Sequence, residues 1–142
     1  MKKRTLVFGD IHGGLRALQQ LFERAEITIN DKLIFLGDYV DGWSESAATI
    51  QFLIEIAEKH DCIFIKGNHD AWCEKYLRTN ESLNEWLFNG GKATVESYDN
   101  RNIEKIKHLN FFERMKDYYV DDQNRLFIHA GFSSMHGHSK ET

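Results

Sequence analysis

The chain contains four short apolar runs, and a pattern of helical spacing follows each of the first two. The first three runs are Leu6–Phe8, Leu33–Leu36 and Cys62–Ile65. Apolar residues then recur at helical spacing, at Leu15, Leu18, Phe22 and Ala25 after the first run and at Ile50, Leu53, Ile54 and Ala57 after the second. Strands that are apolar at every position are typical of a largely parallel sheet that is covered by helices and buried on both faces.

The pattern changes after the third run. Residues 71–116 are expected to be mostly helical or irregular, because apolar residues recur there without strand-like alternation. The segments "DYYV", "DDQN" and "RLFIHAGF" then predict a β-hairpin whose second strand runs into His129. The fourth apolar strand thus also ends at a residue that could bind a ligand.

Composition and charge narrow the class of protein. With 142 residues, 42% of them hydrophobic, the chain is long enough for a single domain spanning 1–142 and too short for two of ordinary size. No apolar run approaches the roughly 18 residues of a membrane span, and no secretory signal is evident, so we expect a cytoplasmic protein without a membrane partner. A net charge of −4 argues against a nucleic-acid partner. Cys62 and Cys73 are expected to be packing residues.

Polar residues follow each strand where it ends. They are Asp10 and His12 after the first run, Asp38 and Asp41 after the second, Asn68, His69 and Asp70 after the third, and His129 after the fourth. The carboxyl ends of parallel strands converge on one crevice, so these side chains are expected to meet there. So many carboxylates at one rim would cost several kcal/mol in repulsion and desolvation unless cations lay among them. Aspartate, asparagine and histidine without thiolate suit Mn, Fe or Zn, and one carboxylate can bridge two ions.

A glycine precedes the polar residues at three of these strand ends. Gly9, Gly37 and Gly67 each lie one position before a candidate ligand. There the backbone is expected to turn sharply and to pack closely against the ions. One such glycine is weak evidence, but three repeats of strand, glycine and ligand are strong evidence.

These segments resemble a known family. "GDIHGG" (9–14), "GDYVDG" (37–42), "GNHD" (67–70) and "HAGF" (129–132), in this order, are similar to the motifs of the calcineurin-like metallophosphoesterase superfamily, and within it of the serine/threonine protein phosphatase (PPP-type) branch. "WLFNGGKATVESY" (86–98) resembles the segment that this branch carries between its third and fourth motifs. The resemblance extends from Leu6 to Phe132.

The resemblance implies a fold and an assignment of site residues. The fold would be α/β, a β-sandwich flanked by helices in α/β/β/α layers. Carried over by position, the motifs imply that two divalent ions, most simply Mn or Fe with Zn also suitable, are held by Asp10 and His12 at the first site, by Asp38 as a bridge, and by Asn68 and His129 at the second site. His69 would be the general acid and Asp41 would orient it. A metal-bound hydroxide would attack the phosphorylated substrate.

The chain departs from the family pattern in its second motif. The family carries arginine after the second aspartate, where a guanidinium grips the substrate phosphate. Here Gly42 and Trp43 follow Asp41. Lys66, Lys92 and Arg101 are the open alternatives for a replacement, so the substrate-binding residues stay unassigned.

A second departure concerns the C-terminal side. The family continues past its "HAGF"-like motif through another strand to a Gly-His-Thr/Ser motif whose histidine completes the second metal site. His138 lies in a "GHS" tripeptide only nine positions after His129 and is a weak candidate for that ligand. We therefore expect a C-terminally truncated, incomplete domain with an exposed sheet edge that could promote association, while the oligomeric state is not predicted.

Simpler structural roles remain open for several residues. Asp41 could cap the following helix, and Asp70 is expected to cap the helix of "AWCEKYL". His60, His108 and His136 are expected to be surface or loop residues. Trp43, Trp72 and Trp86 are expected to pack in the core or at its rim, although Trp43 could also line the substrate entrance.

Three functions are compatible with the sequence. The first expectation is a metal-dependent phosphomonoesterase of the serine/threonine protein phosphatase type. The enzymatic alternative is hydrolysis of dinucleoside polyphosphates, for which the sequence offers no nucleotide-binding signature. From another class comes a truncated metal-binding form with little or no catalysis.

Overall fold

A three-stranded parallel sheet forms the centre of the molecule. The computed structural model describes residues 3–99 and 103–138. Within them, β1 (Thr5–Phe8), β2 (Lys32–Phe35) and β3 (Asp61–Phe64) lie in the order β1-β2-β3. The crossovers are α1 (Leu15–Arg24) and α2 (Ser46–Ala57), as the apolar spacing predicts. The mixed α/β fold class is thus confirmed.

One face of the sheet carries a ladder of aromatic rings. Phe8, Phe35 and Phe64 are paired across the three strands, and their ring centroids are 4.5 and 4.9 Å apart. Because side chains alternate between the faces of a strand, the register places all three on the side of the helices. Phe22 of α1 and Phe52 of α2 pack there, so the main hydrophobic core lies between sheet and helices.

The opposite face is covered only in part. β4 (Tyr118–Val120) and β5 (Leu126–Ile128) form the predicted antiparallel hairpin, and the Tyr119 ring lies 5.3 Å from the Lys32 ammonium on this face. Ile34 in the central strand is fully buried, but Val7 in β1 is 48% exposed. The expectation that every strand is buried on both faces is therefore wrong for β1, which is an edge strand in the described part of the chain.

The middle of the chain is helical, as predicted. It contains α3 (Asn68–Thr79), α4 (Asn84–Trp86), a π-helical segment (Leu87–Gly91), α5 (Lys92–Asp99) and α6 (Lys105–Glu113). Asn89 and Gly90 leave helical geometry, so the chain bends between α4 and α5. Among the helices of the described ranges, none is both long enough and apolar enough to cross a membrane.

The placement of His108 corrects an expectation. His108 lies in α6 and is fully buried, rather than at the surface. Its Nδ1 lies 2.9 Å from the Tyr98 hydroxyl of α5, and its Nε2 lies 3.2 Å from Gln51 Oε1 of α2. Burial lowers the pKa of His108 to about 4, so the ring is neutral and links three helices.

Both cysteines are packing residues, as expected. Cys62 lies in β3 and Cys73 is fully buried in α3, and neither forms a disulfide. Burial raises the pKa of Cys62 to about 12, which keeps its thiol protonated at neutral pH.

Candidate metal centre

The loops after β1 and β2 are held together by their backbones. The amides of Ile11 and His12 both donate to the carbonyl of Asp38, at 2.9 and 3.0 Å. The amide of Gly13 donates to the carbonyl of Tyr39 at 2.8 Å. These bonds place the two loops side by side at the carboxyl edge of the sheet, as parallel topology predicts.

Three polar residues of these loops have left-handed backbone conformations. His12, Asp38 and Asp41 have φ angles of 49°, 57° and 76°. Such conformations cost about 1–3 kcal/mol each outside glycine and persist where the surrounding structure enforces them, commonly at functional sites. In these conformations the side chains of His12 and Asp38 approach one another, and that of Asp41 contacts His69.

Two of the glycines before the ligands are required by close backbone contacts. A Cβ on Gly37 would lie 2.6 Å from the amide nitrogen of Gly67, and a Cβ on Gly67 would lie 2.1 Å from Asp38 Oδ1. Substituting Gly67 would displace the Asp38 carboxylate, and substituting Gly37 would displace the Gly67 backbone or the His129 ring. The expected close packing is therefore found at Gly37 and Gly67 but not at Gly9, which has no other heavy atom within 4 Å of its Cβ position apart from its chain neighbours. Packing of these glycines against ions stays a prediction.

The side chains at the strand ends converge on Asp38. Its Oδ2 lies 3.3 Å from Nε2 of His129 and 3.8 Å from Nε2 of His12, which in turn lies 3.8 Å from Asp10 Oδ2. Two groups have ligand atoms within 4.8 Å of one another, namely His12, Asp38 and His69, and Asp10, Asp38 and His129. Asp38 belongs to both, which is the geometry expected of a carboxylate between two ions.

Hydrogen bonds orient the two flanking imidazoles. Nδ1 of His12 lies 2.9 Å from the carbonyl of Val40, and Nδ1 of His129 lies 2.9 Å from the carbonyl of Leu36. Each Nδ1–H therefore donates to a backbone acceptor, which leaves the lone pair of each Nε2 facing Asp38.

These donors fit a divalent cation. Two imidazole lone pairs beside the carboxylate of Asp38 repel one another unless a cation lies between them. In the described ranges no lysine or arginine forms an ion pair with Asp38. Nitrogen and carboxylate oxygen donors without thiolate suit borderline divalent ions such as Mn, Fe or Zn.

His69 is held by a buried carboxylate. Its Nδ1 lies 2.6 Å from Asp41 Oδ2, and the Asp41 side chain is only 1% exposed. Asp41 also accepts from the Trp86 indole N–H at 2.7 Å and from the Thr94 hydroxyl at 2.6 Å. Asp41 is not a helix cap, because α2 begins at Ser46. The sequence predicted the partnership with His69 and missed the other two donors.

Asp70 accepts backbone amides from the loop that carries Asp38. α3 begins at Asn68, earlier than expected, so Asp70 lies in its first turn and accepts the amide of Gly67 at 2.8 Å, which confirms its capping role. It also accepts the amides of Asp38 at 2.7 Å and Tyr39 at 2.9 Å. Burial raises the pKa of Asp70 to about 7, against the opposing effect of these backbone donors. Asp70 therefore ties α3 to the loop that carries Asp38.

Two other predicted ligands lie differently. Asn68 is the exposed first residue of α3, beside His69, and its ligand role stays a prediction. The His138 ring packs 4.5 Å from Tyr118 and 5.9 Å from Phe132. It belongs to neither group around Asp38.

None of the candidate cations Lys66, Lys92 and Arg101 is shown free to bind phosphate beside the candidate metal centre. Gly42 has a φ of 91°, so an arginine there would be strained. Lys66 is bound to Glu74, which neutralises its charge. Lys92 is 79% exposed and lies on the surface of α5, and Arg101 lies outside the described residues.

Comparison with known proteins identifies relatives of this chain. It is 30% identical, over 141 residues, to a bis(5'-nucleosyl)-tetraphosphatase PrpE [asymmetrical] of Bacillus thuringiensis (strain Al Hakam); the match covers 88% of this chain and 56% of the relative. A Bacillus cereus (strain B4264) protein of the same name is 28% identical over the same length. The chain spans about half the length of the curated relatives it matches.

Solved structures share the fold. A protein provisionally described as a diadenosine tetraphosphatase has a TM-score of 0.71 at 20% identity, covering 97% of this chain and 55% of its own. A serine/threonine phosphatase from Saccharomyces cerevisiae with similarity to human phosphatase PP5 has a TM-score of 0.63 at 18% identity, covering 91% and 38%. These likenesses, both at low identity, establish the architecture.

A sequence profile of one family matches residues 3–142, which is nearly the whole chain. The match agrees with the convergence of carboxylates and imidazoles at the strand ends. The chain belongs to the calcineurin-like phosphoesterase family.

Proposed function

We propose that the chain hydrolyses dinucleoside polyphosphates with divalent metal ions. The observation that carries the proposal is the carboxylate of Asp38, which is shared by two groups of potential ligands at one sheet edge. Relatives at about 30% identity are bis(5'-nucleosyl)-tetraphosphatases, and this favours the dinucleotide alternative over the first expectation. The protein phosphatase expectation has a fold likeness at 18% identity in its favour, and the family's arginine is missing at Gly42.

The proposed ligands are the residues that the motifs indicate. Asp38 would be the ligand shared by two ions, and Asp10, His12, Asn68 and His129 would be the other ligands. When bound, two divalent ions supply Lewis-acid chemistry that polarises phosphoryl oxygens and activates water. As the motifs imply, Asp10 and His12 would hold the first ion, and Asn68 and His129 the second. The two groups of nearby ligand atoms instead place His12 with His69 and Asp10 with His129. In this proposal His69 serves proton transfer and not metal binding.

His69 is the proposed general acid. Because Nδ1 is held by Asp41, Nε2 faces the centre and can deliver a proton to the departing oxygen. Asp41 fixes the ring and stabilises its protonated form. The leaving group in a dinucleoside polyphosphate is a phosphate oxygen, which needs less protonation than an alkoxide.

One hydrolysis assay tests the proposal. The full chain is incubated with diadenosine tetraphosphate or with an aryl phosphate, with added Mn²⁺ or with EDTA, and nucleotide products are separated by chromatography. We expect Mn²⁺-dependent cleavage of the dinucleotide, with a roughly hundredfold loss in His69→Ala and loss of Mn²⁺ dependence in Asp38→Asn. His136→Ala, at an exposed loop histidine, is the matched control and should resemble the parent.

Other results would favour the other functions. Cleavage of the aryl phosphate without cleavage of the dinucleotide would favour a phosphomonoesterase of the protein phosphatase type. Mn²⁺ binding by folded protein without turnover of either substrate would favour the metal-binding form.

A further inference from the structure

An open cavity lies beside the candidate metal centre. Its volume is about 710 Å³, which is within the range of small-molecule sites. Its lining includes Ile11, Gly13, Arg16, Trp43 and Glu45. The cavity is formed where the first turn of α1 faces the loop between Asp41 and α2.

The cavity and the metal centre share a wall. Ile11 and Gly13 line the cavity and flank His12, whose Nε2 faces Asp38. The Trp43 amide donates to the carbonyl of His12 at 3.1 Å. A ligand in the cavity would therefore contact the loop that carries His12, one of the proposed metal ligands.

The indole of Trp43 is displayed rather than packed. Trp43 is 71% exposed, whereas Trp86 is almost fully buried. Leaving so large an apolar ring in water sacrifices the free energy of burial. An exposed aromatic ring offers a face on which a nucleobase can stack, and a stacked base contributes about 1–3 kcal/mol.

Arg16 places a cation at the same cavity. It is exposed in the first turn of α1 and forms no hydrogen bond or ion pair with any other residue of the described ranges. Lys66, by contrast, is bound to Glu74. A guanidinium free of such partners can bind phosphate oxygens through two parallel hydrogen bonds.

We infer that this cavity binds one nucleoside of a dinucleoside polyphosphate, with the base stacked on Trp43 and an adjoining phosphate bound by Arg16. The inference rests on the proposed function and names the substrate contacts of the same site. Glu45 repels phosphate and so faces the nucleoside, where its carboxylate accepts hydrogen bonds from an exocyclic amine or ribose hydroxyl. Arg16 supplies the charge that the family carries at the position of Gly42.

Two probes distinguish the contribution of Arg16 to binding, through charge, from that of Trp43, through stacking. Diadenosine tetraphosphate has bases and phosphates, whereas inorganic tripolyphosphate has phosphates alone. Both are titrated by calorimetry into the full Mn²⁺-loaded chain carrying His69→Ala, which slows turnover about a hundredfold. Trp43→Ala should weaken the dinucleotide roughly tenfold and leave tripolyphosphate unchanged. Trp43→Phe, which keeps a ring, should recover most of the affinity.

Arg16→Gln should weaken both probes, and Arg16→Lys should recover part of the loss. Arg24→Gln is the matched control, because it removes a charge from the other end of α1 and should bind both probes like the parent. Circular dichroism shows that each variant is folded.

The inference is overturned if the parent does not bind the dinucleotide, if Trp43→Ala binds it as tightly as the parent, or if that variant weakens both probes equally. Hydrolysis is assayed separately on the chain with His69 intact. Absence of dinucleotide cleavage there contradicts the proposed function, while the titrations still judge the cavity.

Discussion

Asp41 shows how one buried carboxylate is fixed by several donors. An ionised aspartate can accept from several groups at once, and three side chains occupy its two oxygens here. Hydrogen bonds to a charged acceptor are about twice as strong as neutral ones, so the donors lock the direction of the carboxylate. The direction of the His69 ring then follows from that of Asp41.

Trp86→Phe tests this positioning. The substitution keeps most of the buried ring and removes the N–H that binds Asp41, which should cost about 2 kcal/mol of stability. For an alkyl phosphate, whose alkoxide leaving group must be protonated, we expect kcat/KM to fall roughly tenfold. For an aryl phosphate, whose departing oxygen needs little protonation, we expect a much smaller fall. The comparison of the two substrates separates lost positioning of His69 from general loosening.

Tyr76→Phe is the control for that experiment. Tyr76 packs against Trp86 with ring centroids 5.5 Å apart, so the variant removes a polar group beside the Trp86 ring and leaves the donors to Asp41 in place. An equal loss on both substrates in Trp86→Phe would contradict a positioning role.

The bend between α4 and α5 brings Trp86 to Asp41. A Cβ on Gly91 would lie 2.5 Å from the indole of Trp86, so the backbone packs directly on the ring. Gly90 adopts a φ of 102°, and its carbonyl accepts the amide of Gly42 at 3.2 Å. The helical segment is thus fastened to the loop of the second motif, which lies far away in sequence.

The packing of α6 makes stability depend on pH. His108 has its pKa lowered to about 4 in the folded state, against about 6.5 in the unfolded chain. Below pH 6.5 the unfolded chain binds a proton that the folded protein excludes, so this contribution to stability falls as pH falls from 6.5 to 4. The loss reaches about 3 kcal/mol. Thermal unfolding followed by circular dichroism at several pH values measures it.

His108→Leu isolates this contribution. The variant should be less stable at pH 7, because it loses its bonds to Tyr98 and Gln51, but its stability should fall less steeply between pH 6.5 and 4.5. His136→Leu, at an exposed loop position, should retain the slope of the parent. Parallel slopes in all three proteins would refute the assignment to His108.

Local patterns were enough to predict the alternation of strands and helices. They also predicted the meeting of Asp38 with His12, because the carboxyl ends of parallel strands share one edge of the sheet. His129 follows β5 of the antiparallel hairpin, so its approach to Asp38 depends on how the hairpin packs against the parallel sheet. The exposure of Val7 and the burial of His108 depend on which segments cover them, and periodicity carries little information about that. The donors Trp86 and Thr94 lie 45 and 53 residues after Asp41, so their contacts follow from tertiary packing.

The metal centre should couple ion binding to the stability of the whole molecule. Asp10 and Asp38 lie close to one another without a lysine or arginine paired to either in the described ranges, so the ion-free form carries their repulsion. Mn²⁺ at about a hundredfold excess over its Kd should stabilise the parent by about 3 kcal/mol. Asp38→Asn should unfold at a higher temperature than the parent in EDTA, because it removes one of the repelling charges, and should gain little from Mn²⁺.

Thermal unfolding with and without Mn²⁺ measures both the stabilisation of the parent by the ion and the stabilisation of the ion-free form by Asp38→Asn. Asp122→Asn, at an exposed aspartate near the β4–β5 turn, is the control that should respond to Mn²⁺ like the parent. If the unfolding temperature of the parent did not change with Mn²⁺, Asp10 and Asp38 would not hold an ion.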